Sequence, residues 1–242
     1  MKTAVITGAS RGIGLATALE FSNKGINVVL NSLHDDKNLK NALLSCSQNN
    51  EGNCLAYPGD VSVPSFAKDL MAAAHKKFGS IDILINNAGI SFVGLIQDTS
   101  DEIWQKVINT NLSSVHYCTR AVIPYMLKKH SGSIINVSSV WGTAGASCEV
   151  AYSASKGGVN AYTKASAKEL APSGISVNAI ACGCVKTDML NCFSPEELNE
   201  LSAQIPCGRL ASPAEIAEII YSTAEMPDYL SGQIITVDGC WT

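Results

Sequence analysis

Val5-Ile6-Thr7-Gly8-Ala9-Ser10-Arg11-Gly12-Ile13-Gly14, followed by Leu15-Ala16-Thr17-Ala18-Leu19-Glu20-Phe21, reads as a short apolar strand, a glycine turn and a helix. The glycines fall where strand gives way to helix. Without Cβ atoms there, the backbone can approach a pyrophosphate and the helix N-terminus can face its charge. The spacing Gly-x-x-x-Gly-x-Gly departs from the Gly-x-Gly-x-x-Gly fingerprint, but it holds the same place in a first βα unit.

The alternation runs on down the chain. Residues 27–30 read as a second strand, 37–48 as a helix, 53–57 as a third strand, 65–78 as a helix and 81–85 as a fourth strand. A long helical region from about Ser100 to Lys129 follows, broken near Asn109 to Asn111. Then come a strand over 133–137, a helix over 151–170, a strand over 175–181, an irregular excursion over 187–206 that would form a lid, a helix over 213–224 and a last strand over 233–237. Strands alternating with helices predict a parallel sheet covered on both faces. Ile83-Leu84-Ile85 lacks polar alternation, as a doubly covered strand should. The expected fold class is therefore α/β: one domain over residues 1–242, a Rossmann-type three-layer arrangement around a seven-stranded parallel sheet.

Composition narrows the function classes. With 46% hydrophobic and 16% charged residues the chain has material for a large core. A net charge of −4 with no basic stripe argues against nucleic acid. The apolar run after Lys2 is too short for a signal peptide, and no stretch approaches the roughly 18 apolar residues of a membrane span, so a cytoplasmic protein is expected. The nine cysteines, at 46, 54, 118, 148, 182, 184, 192, 207 and 240, are scattered and read as reduced thiols. Cys182-Gly183-Cys184 lacks a second ligand pair nearby, and His34, His75, His116 and His130 are isolated, so no metal is expected.

Tyr152 and Lys156 stand four residues apart in Tyr152-Ser153-Ala154-Ser155-Lys156, with Ser139 thirteen residues upstream. That spacing puts phenol and ammonium on one helix face, about one turn apart. A nearby positive charge favours phenolate, so the tyrosine pKa is expected to fall from about 10 toward neutrality.

In order, the glycine turn, Asn86-Asn87-Ala88-Gly89, Asn111, Ser139, Tyr152 and Lys156 resemble the short-chain dehydrogenase/reductase family, from the first strand to the last few residues. The resemblance implies that Tyr152 exchanges a proton with a carbonyl oxygen and that Lys156 biases the phenol and holds the nicotinamide ribose. Ser139 would stabilise charge on the oxygen, and Asn111 would hold a water that links Lys156 to solvent. Ser138 and Asn109 compete for two of these roles, but the interval to Tyr152 and the run Thr110-Asn111-Leu112 favour Ser139 and Asn111. It further implies cofactor contacts from Gly8, Ser10, Arg11, Gly12, Ile13 and Gly14. Asp60 and Val61 would contact the adenine, Asn86, Ala88 and Gly89 would line the ribose path, and Val185 and Thr187 would meet the nicotinamide end. Asp60 also fits a helix N-terminal signal.

Strand two ends Leu30-Asn31-Ser32-Leu33, without the acid that would hold an adenosine 2′-hydroxyl. Asn31 and Ser32 can instead donate to a 2′-phosphate and Arg11 can supply charge, so NADPH is expected, although Asp35 and Asp36 lie just beyond.

The C-terminal half resembles bacterial 3-oxoacyl-acyl-carrier-protein reductases, which implies a β-keto thioester and an acyl carrier protein landing on a basic surface such as Lys128, Lys129 and His130. Residues 140–150 depart from them and look like reductases acting on 5-aminopentanone-modified elongation factor P, with Trp141 and the run 145–150 carrying the similarity. Glu149 would there meet a substrate amine, or else act as a partner of the helix macrodipole. Cys182 replaces the proline usual at its position. A non-catalytic NADPH-binding regulator would be signalled by loss of a catalytic residue, and none is lost. The family also implies a homotetramer, with the helix from Ser155 to Leu170 and its Gly157, Gly158, Ala161 and Ala165 as a candidate contact.

Overall fold

Seven strands, β1 (Thr3–Ile6), β2 (Asn27–Leu30), β3 (Cys54–Ala56), β4 (Ile83–Asn86), β5 (Gly132–Ser139), β6 (Ile175–Cys182) and β7 (Ile234–Val237), form one sheet in the order β3-β2-β1-β4-β5-β6-β7. Every pairing is parallel. The computed structural model describes residues 1–49, 53–191 and 193–242; Cys192 lies outside them. The other cysteines are free thiols.

Apolar residues on both faces of the strands explain the layers. In β1, Ala4 and Ile6 enter one core with Phe21, Leu39, Ile216 and Ile220. Val5 points the other way, into a second core with Leu70, Met71, Val122, Met126 and Leu170. β4 repeats the division, with Ile83 and Ile85 on the first side and Leu84 on the second. Helices α1 (Gly12–Asn23), α2 (Lys37–Asn49) and α8 (Pro213–Ala224) supply the first core. Helices α3 (Pro64–Phe78), α5 (Ser114–Leu127) and α6 (Val150–Leu170) supply the second. Among the described residues no helix is long and apolar enough to cross a membrane.

Strand order reverses between β1 and β4, which opens a crevice beyond their carboxyl ends. The turn after β1 and the loop after β4 meet there. Thr7 Oγ1 accepts hydrogen bonds from the Asn87 and Ala88 amides, both at 3.0 Å, and the Asn87 side chain donates to the Thr7 and Gly8 carbonyls at 2.9 and 3.0 Å.

Several boundaries differ from the sequence reading for identifiable reasons. The expected break near Asn109 is a π turn over Asn109–Ser113 that joins α4 (Asp101–Ile108) to α5 without interrupting the helical path. β5 runs on to Ser139 because β6 pairs with it through Cys182. The excursion over 187–206 is more regular than expected. It holds a 3₁₀ turn, Asp188–Leu190, and helix α7 (Pro195–Gln204), which opens with a capping box between Ser194 and Glu197. Ser-Pro-Glu-Glu was a readable signal for that helix. On α6, a Cβ at Gly158 would press on Leu112 and one at Gly157 on the Gly142 carbonyl, so packing within the chain already accounts for both glycines.

Gly14 ties α1 to the turn beneath it. A methyl there would overlap the Gly8 carbonyl oxygen and sit 2.5 Å from the Asn87 amide nitrogen. Gly14→Ala is expected to destabilise the protein by about 1–3 kcal/mol through this overpacking, seen as a lowered denaturant midpoint. An unchanged midpoint would mean that the two loops are not held together as tightly as this contact implies.

Candidate active site

The end of β5 places two serines on opposite faces. Ser138 faces α6, where its hydroxyl donates to Asn160 Oδ1 at 2.7 Å and lies 3.4 Å from the Lys156 carbonyl. Ser139 faces the crevice: its Oγ accepts from the Trp141 amide at 3.2 Å and its hydroxyl is hydrogen-bonded to the Tyr152 phenol. The period-two alternation of a strand therefore separates the rivals.

Tyr152 and Lys156 lie one turn apart on α6, with Lys156 Nζ 5.6 Å from the phenol ring centre. The ammonium is only 4% exposed and donates to the Val137 carbonyl at 2.7 Å. Gly89 closes over it, since a Cβ there would lie 3.7 Å from Nζ and 3.5 Å from Asn111 Oδ1. Asn111 sits buried in the π turn. It accepts from the Ile90 amide at 2.8 Å and donates to the Ile90 carbonyl at 2.8 Å and to Ser155 Oγ at 3.0 Å. Ser155 in turn donates to the Tyr152 carbonyl at 2.7 Å. Asn109 instead points outward, accepting from Ser113 at 3.3 Å. A single extra residue of winding thus turns Asn111 inward, a recurrent use of π turns at functional sites.

The electrostatics correct one expectation. Burial pushes the Tyr152 phenol above its ordinary pKa, Cys182 and Glu149 add to the rise, and the Ser139 hydrogen bond opposes it. The expected fall toward neutrality is outweighed by this desolvation, which also lowers Lys156 to about 8. The neighbouring thiols are also held neutral. Burial raises Cys182 to about 12, and burial with the charge of Glu149 raises Cys184 to about 11.

The crevice fits a dinucleotide. Helix α1 begins after Arg11, which is extended and makes no side-chain cap, and its first turn carries no acid, so its leading N–H groups face outward toward an anion. Gly8 and Gly12 adopt φ of +65° and +55°, which favours glycine. A Cβ at Gly12 would fill the cradle, 3.3 Å from Thr187 Cγ2 on the opposite wall. Ile13 is half-buried behind this turn, and Val185 is buried where it bridges to Ala211. Val61 is buried in the second core, while Asp60 Oδ1 accepts from the Ser62 amide at 2.8 Å ahead of α3, which fixes the loop that carries both.

Three sequence expectations need correction. Asn31 is buried and its amide donates to the Tyr57 and Gly59 carbonyls at 3.1 and 3.0 Å, so it clips the β2 and β3 loops together and is not free to meet a 2′-phosphate. Asn86 turns its side chain into the protein, donating to Asn136 Oδ1 at 2.9 Å and Thr119 Oγ1 at 3.3 Å, so its amide does not face the crevice and only its backbone is left to contribute there. Lys128, Lys129 and His130 lie before β5, at the opposite end of the strand from Ser139 and about 23 Å away along it, and Lys129 is ion-paired with Asp82. They cannot form a landing surface at the crevice mouth.

Ser32 does reach the mouth, donating to Ser10 Oγ at 3.1 Å, and Arg11 forms an exposed ion pair with Asp188 at 3.6 Å. Sequence reasoning missed Thr7 and Asn87, which shape the crevice without belonging to the expected contacts. Their signal was the Asn86-Asn87 doublet, of which only the second member points into the loop junction. It also left Ser91 unnoticed. Ser91 donates to Glu149 Oε1 at 2.5 Å and fixes that carboxylate where its charge reaches both Tyr152 and Cys184.

The short chain dehydrogenase family matches residues 2–198. This chain belongs to that family. It is 39% identical over 241 residues to an oxidoreductase of Bacillus subtilis named YmfI and described as uncharacterized, covering 99% of this chain and 98% of the relative. A 3-oxoacyl-[acyl-carrier-protein] reductase of Thermotoga maritima is 39% identical over 240 residues, covering 98% and 96%. One from Staphylococcus aureus is 36% identical over 239 residues, covering 98% and 97%. The chain is therefore an oxidoreductase enzyme of the short-chain dehydrogenase type, working with a nicotinamide cofactor.

The buried lysine has a measurable consequence. Its folded pKa, about 8, lies below the ordinary value of 10.5, so between these values the unfolded chain binds the proton that the native state has released. Lys156 should then contribute a stability that rises with pH across that window, by up to about 1.4 kcal/mol per pH unit, while the buried thiols Cys118, Cys182 and Cys184, raised in the native state, pull the other way above about pH 9. Urea unfolding at pH 8 and pH 9.5 should therefore show the wild type gaining stability relative to Lys156→Met, in which the thiols act alone. An unchanged slope in the variant would assign the titration to another group.

Proposed function

We propose that the chain is an NADPH-dependent reductase of ketones, most like the enzymes that reduce 3-oxoacyl thioesters. The observation that carries this reading is the convergence of Ser139, Tyr152 and Lys156 beneath Gly89, at the mouth of the crevice that α1 closes. When bound, the reduced dinucleotide supplies the hydride.

The chain's own groups handle orientation and the proton. With one Ser139 lone pair taken by the Trp141 N–H, the serine proton is left to turn toward a carbonyl oxygen and stabilise the charge growing there. Tyr152, held protonated by burial, is set to give its proton to that oxygen. Lys156, anchored by Val137, keeps further N–H donors for ribose hydroxyls. Asn111 holds the Ile90 loop against α6 beside Lys156, where the family resemblance would have a water link the lysine to solvent.

NADPH is preferred because strand β2 ends without an acid, while the Ser10–Ser32 hydroxyl pair and the exposed Arg11 supply donors at the mouth. An exposed Arg11–Asp188 pair is worth little by itself, so the guanidinium can exchange partners readily. The remaining cofactor contacts are taken as Gly8, Gly12, Ile13, Gly14, Asp60, Val61, Ala88, Gly89, Val185 and Thr187, with Asn86 contributing backbone only. We also read the chain as one domain over residues 1–242 with residues 187–206 as a lid, and as a cytoplasmic homotetramer. Steady-state kinetics on an acetoacetyl thioester test the assignment. NADPH should exceed NADH in kcat/KM by about tenfold or more, and Tyr152→Phe should lower kcat by about 10²- to 10⁴-fold with little change in NADPH binding. Preference for NADH would refute the cofactor reading, near-normal turnover of the Phe variant would remove Tyr152, and a wild type inert on a panel of ketones would favour an NADPH-binding regulator.

A second reading rests on Glu149. Its carboxylate makes no cap on α6 and instead faces the crevice, fixed by Ser91, where it suits a ketone bearing a cationic amine such as 5-aminopentanone on elongation factor P. The ratio of amino-ketone to neutral-thioester turnover should fall in Glu149→Gln by about tenfold or more, the worth of one hydrogen bond to a charged group, since losing the charge beside Tyr152 acts on both substrates alike. Equal effects on both substrates would leave Glu149 without a role in selection.

A further inference from the structure

We propose that Trp241, in the segment after β7, is a positioning residue for Ser139 and acts through Trp141. The inference rests on the reading of Ser139 as the group that meets the carbonyl oxygen. The two indoles stand edge to face, with ring centres 4.9 Å apart and planes at 61°. Trp141 follows Ser139 by two residues in a short 3₁₀ turn, and its amide donates to the Ser139 hydroxyl at 3.2 Å. Packing on Trp241 anchors the Trp141 side chain and with it the 3₁₀ turn that carries the Trp141 backbone N–H, the group that occupies one Ser139 lone pair and so orients the serine proton.

The segment that brings Trp241 to this place is tightly determined. After β7 the backbone passes through left-handed conformations at Gly239 and Cys240, with φ of +67° and +64°. A non-glycine residue in that region is uncommon and persists where its surroundings enforce it. Here the Asp238 carboxylate enforces it, accepting from the Cys240 amide at 3.0 Å, the Thr242 amide at 2.8 Å and the Thr242 hydroxyl at 3.0 Å. Asp238 is keyed to the sheet as well. A Cβ at Gly183 would lie 2.7 Å from the Asp238 Cα, and the Gly183 amide donates to Val237 at 2.9 Å. Gly183 directly follows Cys182, which pairs in register with Ser139. Ser139 is therefore located twice, its backbone by the β5–β6 ladder and its hydroxyl by an indole pair whose second member is carried by the same strand edge.

Trp241→Ala should lower kcat by about three- to tenfold, the worth of an aromatic pair, while leaving the NADPH dissociation constant unchanged. Trp241→Phe should restore most of the loss. The coupled indoles give an exciton signal in circular dichroism, which should vanish in both variants and in Trp141→Phe. The deciding measurement is a double-mutant cycle: in a Ser139→Ala background, Trp241→Ala should have no further effect on kcat. Multiplicative losses, or a change in thermal midpoint with wild-type kcat, would overturn the proposal and leave Trp241 as packing alone. Should the alanine variant fail to fold, Asp238→Asn loosens the same turn and must show the same cycle. If Ser139→Ala itself retains full kcat, the site reading has failed. If it is impaired and Trp241→Ala is not, only this inference has.

Discussion

A nearly buried ammonium needs a partner, and the hydrogen bond from Lys156 to the Val137 carbonyl fixes how α6 lies on β5. Because that carbonyl is two residues before Ser139, the bond also sets the phase between strand and helix. Ser139 then meets Tyr152, while Ser138 is directed to Asn160 beneath. Gly142 belongs to the same arrangement. A Cβ there would lie 2.7 Å from the Lys156 carbonyl carbon, so the turn after Ser139 passes over the helix backbone with no side chain between. Removing the ammonium or crowding the turn would shift the phase in which the three groups coincide.

The second half of the site depends on the reversal of strand order. A parallel sheet whose order reverses between β1 and β4 leaves two loops side by side, and Thr7 and Asn87 join them with four hydrogen bonds. The junction aims the start of α1 at the crevice and places Gly89 over Lys156. The start of α1 and the Ser139–Tyr152–Lys156 cluster are thus tied into one construction, and Asn111 extends it by binding the β4 loop to α6.

Periodicity made the fold legible, because both faces of the strands are apolar and turn residues punctuate each βα unit. Helix spacing puts Tyr152 and Lys156 on one face of α6, while the family's interval to Tyr152 favours Ser139 over Ser138, and the structure brings the three together. What could not be read was the direction of polar side chains in loops. Asn31 and Asn86 stand at positions that suit ligand contact, yet backbone carbonyls and the Asn136–Thr163 network engage their amides. Lys128, Lys129 and His130 read as part of a basic landing surface for a carrier protein, but the length of β5 puts them at the far end of the sheet from Ser139. The tyrosine was misjudged for a different reason. Spacing reports proximity to a positive charge and says nothing of the desolvation that outweighs it.

That desolvation bears on direction and substrate together. Burial opposes the charged form of both Tyr152 and Lys156, so the phenol is kept in the protonated form that a reduction requires. Glu149 pushes the same way, because a carboxylate near the phenol raises it further. An acid so placed keeps the proton on the phenol but makes the phenol a weaker acid, and it adds a negative charge beside the site. For a neutral thioester that charge only has to be desolvated. For a ketone carrying an ammonium group it becomes a binding contact, and pairing it would weaken its hold on the phenol. One carboxylate, fixed by Ser91, would then link substrate recognition to the proton-donating strength of Tyr152.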